Sequence, residues 1–151
     1  RLNVPVKKLK NAVESMEINF SNLTDSGAQL NISWDKTSVS FDIEMEVDRV
    51  VMRQIKELLI DQESNDAGLQ FQAANYYYNQ GKDLNAAIDW VTKSVEADPK
   101  YYTVHLKAKI QAALGNKKGA IATAQESMQM AKEEGNMDYV ALNQRLIEAI
   151  K

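Results

Sequence analysis

The second half of the sequence repeats one pattern of helix breaks at an interval of about 34 residues. The step from Gly81 to Gly115 (115 − 81 = 34) nearly equals the step from Ala87 to Ala120 (120 − 87 = 33). Each glycine follows apolar residues at helical spacing, which is where a left-handed residue commonly ends a helix. An interval of this length is typical of helix-turn-helix solenoids, in which neighbouring hairpins share one core. The repeat therefore predicts two helical hairpins in succession.

Start and stop signals give the boundaries of these hairpins. Asp83 follows Gly81 and is a good N-cap for the second helix, whose apolar residues recur at steps of three and four. Asp98 and Pro99 end that helix, and we expect them to be the cap and the first position of the third helix. The stop and cap then recur as Leu-Gly-Asn at residues 114–116.

Both hairpins resemble the tetratricopeptide repeat. Asn75 stands where that family prefers Gly, Ser94 stands where it prefers Ala, and the second copy has no terminal Pro. The positions that match the family signature are Ala74, Asn75, Tyr78, Ala87, Val91, Ser94 and Pro99 in the first copy, and Ala108, Ala120, Ala124 and Ser127 in the second.

This resemblance implies a partner-binding surface, because the first helix of each tetratricopeptide hairpin lines a concave groove. Tyr and His side chains suit such a surface, since they offer rigid contact area with a polar tip. For Tyr76, Tyr102 and His105, packing between helices and partner binding are both open, whereas packing is expected for Tyr78 and Trp90 and also for Tyr101. The Lys and Asn pair that clamps a C-terminal carboxylate in some members is not matched. The groove positions from the first copy are Gln72, Tyr76, Asn79 and Gln80, and those from the second are Tyr102, His105, Lys109 and Ala112; all except Ala112 are the predicted partner-binding residues.

The segment 1–47 alternates between apolar and polar side chains, which predicts β-strands rather than helices. Asp35 and Lys36 mark a short turn within this segment. We expect about four antiparallel strands with one wet face, and an apolar face that contacts the first helix or another chain. The apolar residues that define the strands are Leu2, Val4 and Val6, then Met16, Ile18 and Phe20, then Leu30, Ile32 and Trp34, and finally Val39, Phe41, Ile43, Met45 and Val47.

The chain is therefore predicted to be α+β, with an antiparallel β-segment followed by a tetratricopeptide-like helical array. We expect residues 1–47 to be the end of a larger β-domain and residues 48–151 to form the helical domain with about six helices. The period changes at residue 48, and a first amphipathic helix over residues 47–60 is expected to join the sheet to the repeats. The last follows Gly135 and Asn136, with five residues expected to face inward: Tyr139, Leu142, Leu146, Ile147 and Ile150.

A second resemblance covers nearly the whole chain. The segments LNISWDKT and ANYYY, within residues 6–45 and 73–96, resemble the C-terminal half of a bacterial family, the domain-of-unknown-function family twenty-nine-eleven. It implies an exported, periplasmic protein whose first β-strands precede this chain, and it implies no activity. The chain also lacks an initiator Met and a signal peptide, so we expect a fragment or a processed chain.

Composition narrows the class of function. Eighteen basic against 21 acidic residues give a net charge of −3, and no basic run exceeds two residues. Nucleic-acid binding needs clustered Lys and Arg and is therefore not expected. No apolar run reaches the roughly 20 residues of a membrane helix, so no membrane insertion is expected. The absence of cysteine excludes disulfides and thiolate metal sites.

No catalytic, cofactor or metal residue is predicted. His105 is the only histidine, and no partner that would orient it as a base is visible in the sequence. The hypothesis is a non-enzymatic interaction module whose groove binds a protein or peptide, or a second copy of the chain. Two alternatives stay open: structural or oligomerisation support for a larger β-domain, and a non-catalytic part of an enzyme whose site lies outside this chain.

Overall fold

The structure, a computed structural model, describes residues 2–150 and places the strands before the helices. An antiparallel pair of strands is followed by α-helices and one π-helical turn. The predicted α+β class, with an antiparallel sheet before six helices, is confirmed. The elements are β1 (Val6–Thr24), β2 (Gly27–Glu44), α1 (Val47–Ile55), the π-helical turn (Lys56–Asp61), α2 (Ala67–Asn79), α3 (Leu84–Ala97), α4 (Tyr101–Ala113), α5 (Lys117–Glu133) and α6 (Met137–Ile150).

The chain divides into two compact units, one ending at Gln54 and the other beginning at Ile55. The first, which we call the β-unit, contains both strands, and the second, the helical unit, contains α2 to α6. The boundary between residues 47 and 48 drawn from the sequence stays a prediction. Within residues 2–150, no helix combines the length and the apolar content that crossing a membrane demands.

The β-unit contains two long strands, so the prediction of about four strands was wrong. β1 begins at Val6, and residues 2–5 precede it instead of forming a strand of their own. Extended backbone then continues through register shifts between Lys8 and Val13 and between Val13 and Glu17. Such irregularities bend a strand without ending it. Sequence alternation marks extended residues, but it does not show whether a polar stretch is a loop or a bulge.

β2 nevertheless reverses direction within its own length. The side-chain amide of Gln29 donates a hydrogen bond to Asp42 Oδ1 at 3.0 Å, although the two residues are 13 positions apart. A straight strand would separate them by roughly 43 Å. The reversal falls near Asp35, which has a φ of 48° and belongs to the turn expected at Asp35 and Lys36. The two halves of β2 therefore lie side by side.

The helix boundaries around the first break follow the predicted signals. α2 ends at Asn79, and Gly81 then adopts a φ of 62°, a left-handed conformation that glycine tolerates best. Asp83 accepts a hydrogen bond from the backbone N–H of Asn85 at 2.8 Å, and Asn116 in the next break accepts one from Gly119. These caps satisfy backbone donors that the first helical turn leaves free.

The third helix begins later than the sequence suggested. Asp98 is the C-cap of α3, and α4 begins at Tyr101 with Lys100 as its N-cap. The Thr103 hydroxyl accepts from the Lys100 N–H at 3.1 Å and lies 2.8 Å from the Lys100 carbonyl oxygen. Because Thr103 reaches back to close this turn, neither Asp98 nor Pro99 starts the helix.

The core lies in the helical unit. Among the described residues, every buried side chain lies at or after Ile55, and Ala87 and Ala120 are fully buried where helices approach closely. The same type of hydrogen bond ties the two helices of each hairpin together. The Ser94 hydroxyl donates to the Ala67 carbonyl at 2.8 Å, and the Ser127 hydroxyl donates to the Tyr101 carbonyl at 2.6 Å. Helices α2 to α6 pack in sequence order, and α4 also contacts α2 and α6.

Candidate functional site

Helix α4 supplies the centre of the candidate site because it lies between α2 and α6. Phe71 and Tyr78 are separated by the same number of positions on α2 as Tyr102 and Lys109 are on α4. Each pair of residues is therefore two helical turns apart, so the two helices can contact each other at both ends of that stretch. The rings of Phe71 and Tyr102 meet edge to face at 5.4 Å, and the Lys109 ammonium lies 4.6 Å from the centre of the Tyr78 ring.

A row of five rings crosses from α2 to α6, and we call it the aromatic strip. Beyond Phe71 and Tyr102, the Tyr102 ring meets Tyr101 at 5.4 Å and Tyr101 meets Tyr139 at 4.8 Å. Tyr139 in turn meets His105 at 5.4 Å. Every contact is edge to face, an arrangement worth about 0.5–1.5 kcal/mol per pair beyond the area it buries. The strip therefore presents rings whose orientations are held by one another.

Buried Asn143 on α6 holds His105. Its Oδ1 lies 2.8 Å from His105 Nδ1, and its Nδ2 donates to Ser127 Oγ and to the Tyr139 carbonyl, both at 2.8 Å. Ser127 Oγ in turn donates to the Tyr101 carbonyl. Asn143 and Ser127 are both fully buried, so the hydrogen bonds that orient His105 are shielded from water.

The direction of these hydrogen bonds assigns the proton on His105. A backbone carbonyl can only accept, so the side of Asn143 that faces the Tyr139 carbonyl must be its NH₂ group. Its oxygen then faces His105, and Nδ1 must carry the hydrogen. No described residue forms a hydrogen bond with Nε2, which is left with a lone pair. His105 is thus an oriented hydrogen-bond acceptor in its neutral form.

Burial favours this neutral form. It lowers the pKa of His105 below the ordinary 6.5, the positive charge of Lys109 lowers it further, and the hydrogen bond to Asn143 acts in the opposite direction. Burial, followed by the neighbouring Tyr101 and Tyr102, raises the pKa of Tyr139. Both side chains at this end of the strip are therefore uncharged at neutral pH.

The tautomer can be measured because the chain has one histidine. We expect nitrogen NMR of the imidazole to show a protonated Nδ1 and an unprotonated Nε2 at pH 8, and a titration midpoint below 6.5. The folded protein binds a second proton, at Nε2, less tightly than the unfolded chain does, so the free energy of unfolding falls as pH drops through 6.5. His105→Gln keeps an N–H for Asn143 and should remove that part of the pH dependence. A protonated Nε2 at pH 8 would contradict the assignment.

The structure gathers some of the predicted partner-binding residues and leaves others apart. Tyr102 and His105 belong to the strip, and Lys109 lies beside it over Tyr78. The Tyr76 ring is half-buried, with the Lys82 ammonium 5.8 Å from its centre. Three further predicted residues are exposed on α2 or at its end: Gln72, Asn79 and Gln80. The assignment of all seven to partner binding stays a prediction.

Sequence reasoning missed Phe71 and Asn143. A signal for Phe71 was present, because Phe71, His105 and Tyr139 follow one another at equal intervals (105 − 71 = 34 and 139 − 105 = 34). Phe71 and His105 are the fifth residues of α2 and α4, Tyr139 is the third residue of α6, and all three belong to the strip. Asn143 gave no such signal, since a polar residue in an amphipathic helix is normally assigned to the wet face.

A shallow cleft of about 390 Å³ adjoins the middle of the strip, at the turn between α5 and α6. Tyr101 lines it, and the Asn136 amide donates to the Tyr101 hydroxyl there at 3.0 Å. Residues 2–150 contain no group of three or more His, Asp or Glu side chains placed to hold a metal ion. The chemistry that this region offers is ring surface, one imidazole acceptor and one ammonium.

Comparison with known proteins bears on the β-unit. No curated protein and no solved structure matched the chain. The model of the family described as "Protein of unknown function (DUF2911)" matches residues 1–43. That match covers less than a third of the chain and ends one residue before β2 does. For that segment, the chain is similar to the domain-of-unknown-function family twenty-nine-eleven.

Proposed function

We propose that the helical unit is a non-enzymatic interaction module that binds a peptide or a segment of a partner protein along the first helices of its hairpins. One observation carries the proposal: buried Asn143 bonds His105 through Nδ1 and so leaves Nε2 as the acceptor, beside a row of oriented rings. Ordering a side chain and desolvating its support both cost free energy. A ligand with an N–H or O–H donor gains from an acceptor that is already in position.

A tetratricopeptide-like arrangement is part of the proposal. Its support is the contact of α4 with both α2 and α6, which makes the first helices of successive hairpins neighbours. The Ser94 and Ser127 ties also recur at the interval of the repeat (127 − 94 = 33), each to the first residue of its hairpin. Repeats of this kind present one continuous surface across their first helices.

The chemistry of the strip indicates the class of ligand. Tyr102 and His105 offer ring faces with polar tips, which suit an extended segment carrying its own aromatic or aliphatic side chains. Lys109 adds one positive charge beside them, so a carboxylate in the ligand would lie best at that end. On the resemblance of the sequence, we propose that this activity is periplasmic.

The same network argues against acyl-transfer catalysis. Asn143 stands between Ser127 and His105, so the imidazole has no hydrogen bond to the hydroxyl that it would have to activate. Ser127 is fully buried, and its Oγ donates to the Tyr101 carbonyl. A nucleophile needs its base within hydrogen-bond reach. We therefore propose that this network supports the binding surface and performs no reaction.

A selection from a display library of random peptides tests the proposal. Peptides enriched on the full chain should lose about 2 kcal/mol of affinity, roughly 30-fold, when Tyr102 is replaced by alanine. His105→Gln, which replaces the ring and its oriented Nε2 acceptor by a flexible amide, should weaken the same peptides by about 1 kcal/mol. Glu126→Ala, on the exposed side of the second helix of its hairpin, is the control and should leave affinity unchanged.

Two results would count against this function. One is a selection that enriches no peptide whose binding depends on Tyr102 or His105. The other is equal loss of affinity in the Glu126→Ala control. Thermal unfolding of each variant accompanies the measurement, because a destabilised Tyr102→Ala protein would show that the ring serves packing between α2 and α4.

A further inference from the structure

One face of the β-unit is apolar and uncharged. The register pairs Ile18 with Ile32 and Phe20 with Leu30, and directly opposed residues share a face of the sheet. Because β2 folds back on itself, its second half adds three more apolar side chains to that face. Ser40 contacts Asn31 on the opposite face, so the residues on either side of Ser40 must point to the apolar face. The central residues of this apolar sheet face are Ile18, Phe20, Leu30, Ile32, Val39, Phe41 and Ile43.

The opposite face satisfies its polar groups within the sheet. Asn31 donates to Asn19 at 3.2 Å and to Ser21 at 2.8 Å, and its oxygen accepts from Ser40 at 2.8 Å. The hydroxyls of Ser33 and Ser38 lie 2.9 Å apart. This ladder of amides and hydroxyls is suited to solvent, which leaves the apolar face as the side that needs a cover.

No described residue between 2 and 54 is buried, so the β-unit has no core of its own. Ile18 exposes 60 % of its surface and Phe20 58 %, with Trp34 at 61 % and Met16 at 64 % near the margin of the face. Four central residues of the face are half-buried and the face is only partly covered: Leu30, Ile32, Val39 and Phe41. Apolar side chains that stay in water forgo the stabilisation that burial gives. The face therefore gains stability from any matching apolar surface.

We propose that the apolar sheet face is the interface of a symmetric homodimer, in which two copies of the β-unit pack face to face. The exposed side chains of the face and its margin have a combined accessible area on the order of 600 Å². This area is at the upper limit for an apolar patch on a monomer and near the ~800 Å² that each partner buries in a stable interface. Its seven central residues carry no charge, so two identical copies oppose no like charges. An interface formed by one patch with itself closes at two copies.

The geometry of such a dimer follows from ordinary sheet packing. Two twisted sheets stack about 10 Å apart with interdigitating side chains, as in a β-sandwich. Phe20 of one copy then lies against the partner copy, while Asn19 beside it points to the opposite face. These neighbours on one strand give a matched pair of positions for testing.

Analytical ultracentrifugation of the full chain tests the proposal. We expect a dimer with twice the 17.0 kDa mass of one chain, at tens of micromolar, where interfaces of this size persist. Phe20→Lys should lower the association constant at least 100-fold, because it buries an unpaired charge. Asn19→Lys makes the same charge change on the polar face and should still dimerise. Helical circular dichroism checks that the helical unit of each variant remains folded.

A second measurement needs no change in the sheet. Trp90→Phe leaves Trp34 as the sole tryptophan of the chain, and its quenching by acrylamide should decrease as protein concentration rises through the dimerisation range. A monomer whose Trp34 quenching does not change with protein concentration overturns the proposal. That result would mean either that the helical unit covers the face or that nothing does. A dimer that Phe20→Lys leaves intact overturns it too, as do open-ended aggregates, which indicate edge-to-edge pairing of strands.

Discussion

Replacement of Asn143 by alanine is expected to lower the free energy of unfolding by about 3 kcal/mol. The substitution leaves the His105 Nδ1–H without an acceptor and takes one donor from Ser127 Oγ, in a region with little access for water. It also leaves a void between α4, α5 and α6, since the side chain is fully buried. Chemical denaturation of the full chain measures the loss.

Gln144→Ala is the matched control on the same helix. Gln144 is exposed, and its amide forms only a long contact of 3.4 Å with Glu148, so the change should stay within about 0.5 kcal/mol. A sharper variant is Asn143→Asp, which turns a carboxylate oxygen toward the Tyr139 carbonyl. Its destabilisation should shrink as pH falls and the introduced carboxyl gains a proton to donate. Equal effects of Asn143→Ala and Gln144→Ala would contradict the network.

Ile110→Ala should produce the largest loss of stability, about 3–4 kcal/mol. Ile110 is a fully buried side chain of α4, and its removal leaves a cavity at the helix that contacts α2, α3, α5 and α6. Leu142→Ala removes an aliphatic side chain that is 41 % exposed, and should cost less than about 1.5 kcal/mol. Urea denaturation followed by helical circular dichroism compares the two. A loss for Ile110→Ala no larger than that for Leu142→Ala would show that α4 is not central to the core.

Signals carried by neighbouring residues in the chain predicted the helices well. Gly81 and Asp83 end and start helices through their own backbone conformation and side chains, so no distant contact is needed to interpret them. The start of α4 was misplaced because Thr103 offers a cap that competes with Asp98. Both signals are local, and the sequence alone does not rank them.

Features that depend on distant contacts were predicted less well. For α6, the apolar residues alone placed Leu142 inward, whereas the buried positions are Val140, Asn143 and Ile150. Asn143 is buried because Ser127 and His105, from two other helices, complete its hydrogen bonds. The prediction of the number of strands was wrong for a related reason, because pairing across bulges, which involves distant residues, decides where a strand ends. The site was thus half predictable: three of its five rings follow the interval of the repeat, but its polar support does not.

The polar ladder of the β-unit also has a consequence for the alignment of its strands. A slip by one residue would exchange the two faces of the sheet, and would break the contacts of Asn31 with Asn19 and Ser21. Amides and hydroxyls form most of these contacts, and only the bond between Gln29 and Asp42 involves a charged group. Salt screens charges but leaves neutral hydrogen bonds intact. The neutral hydrogen bonds therefore keep the strands in one register, and raising the ionic strength should not weaken them.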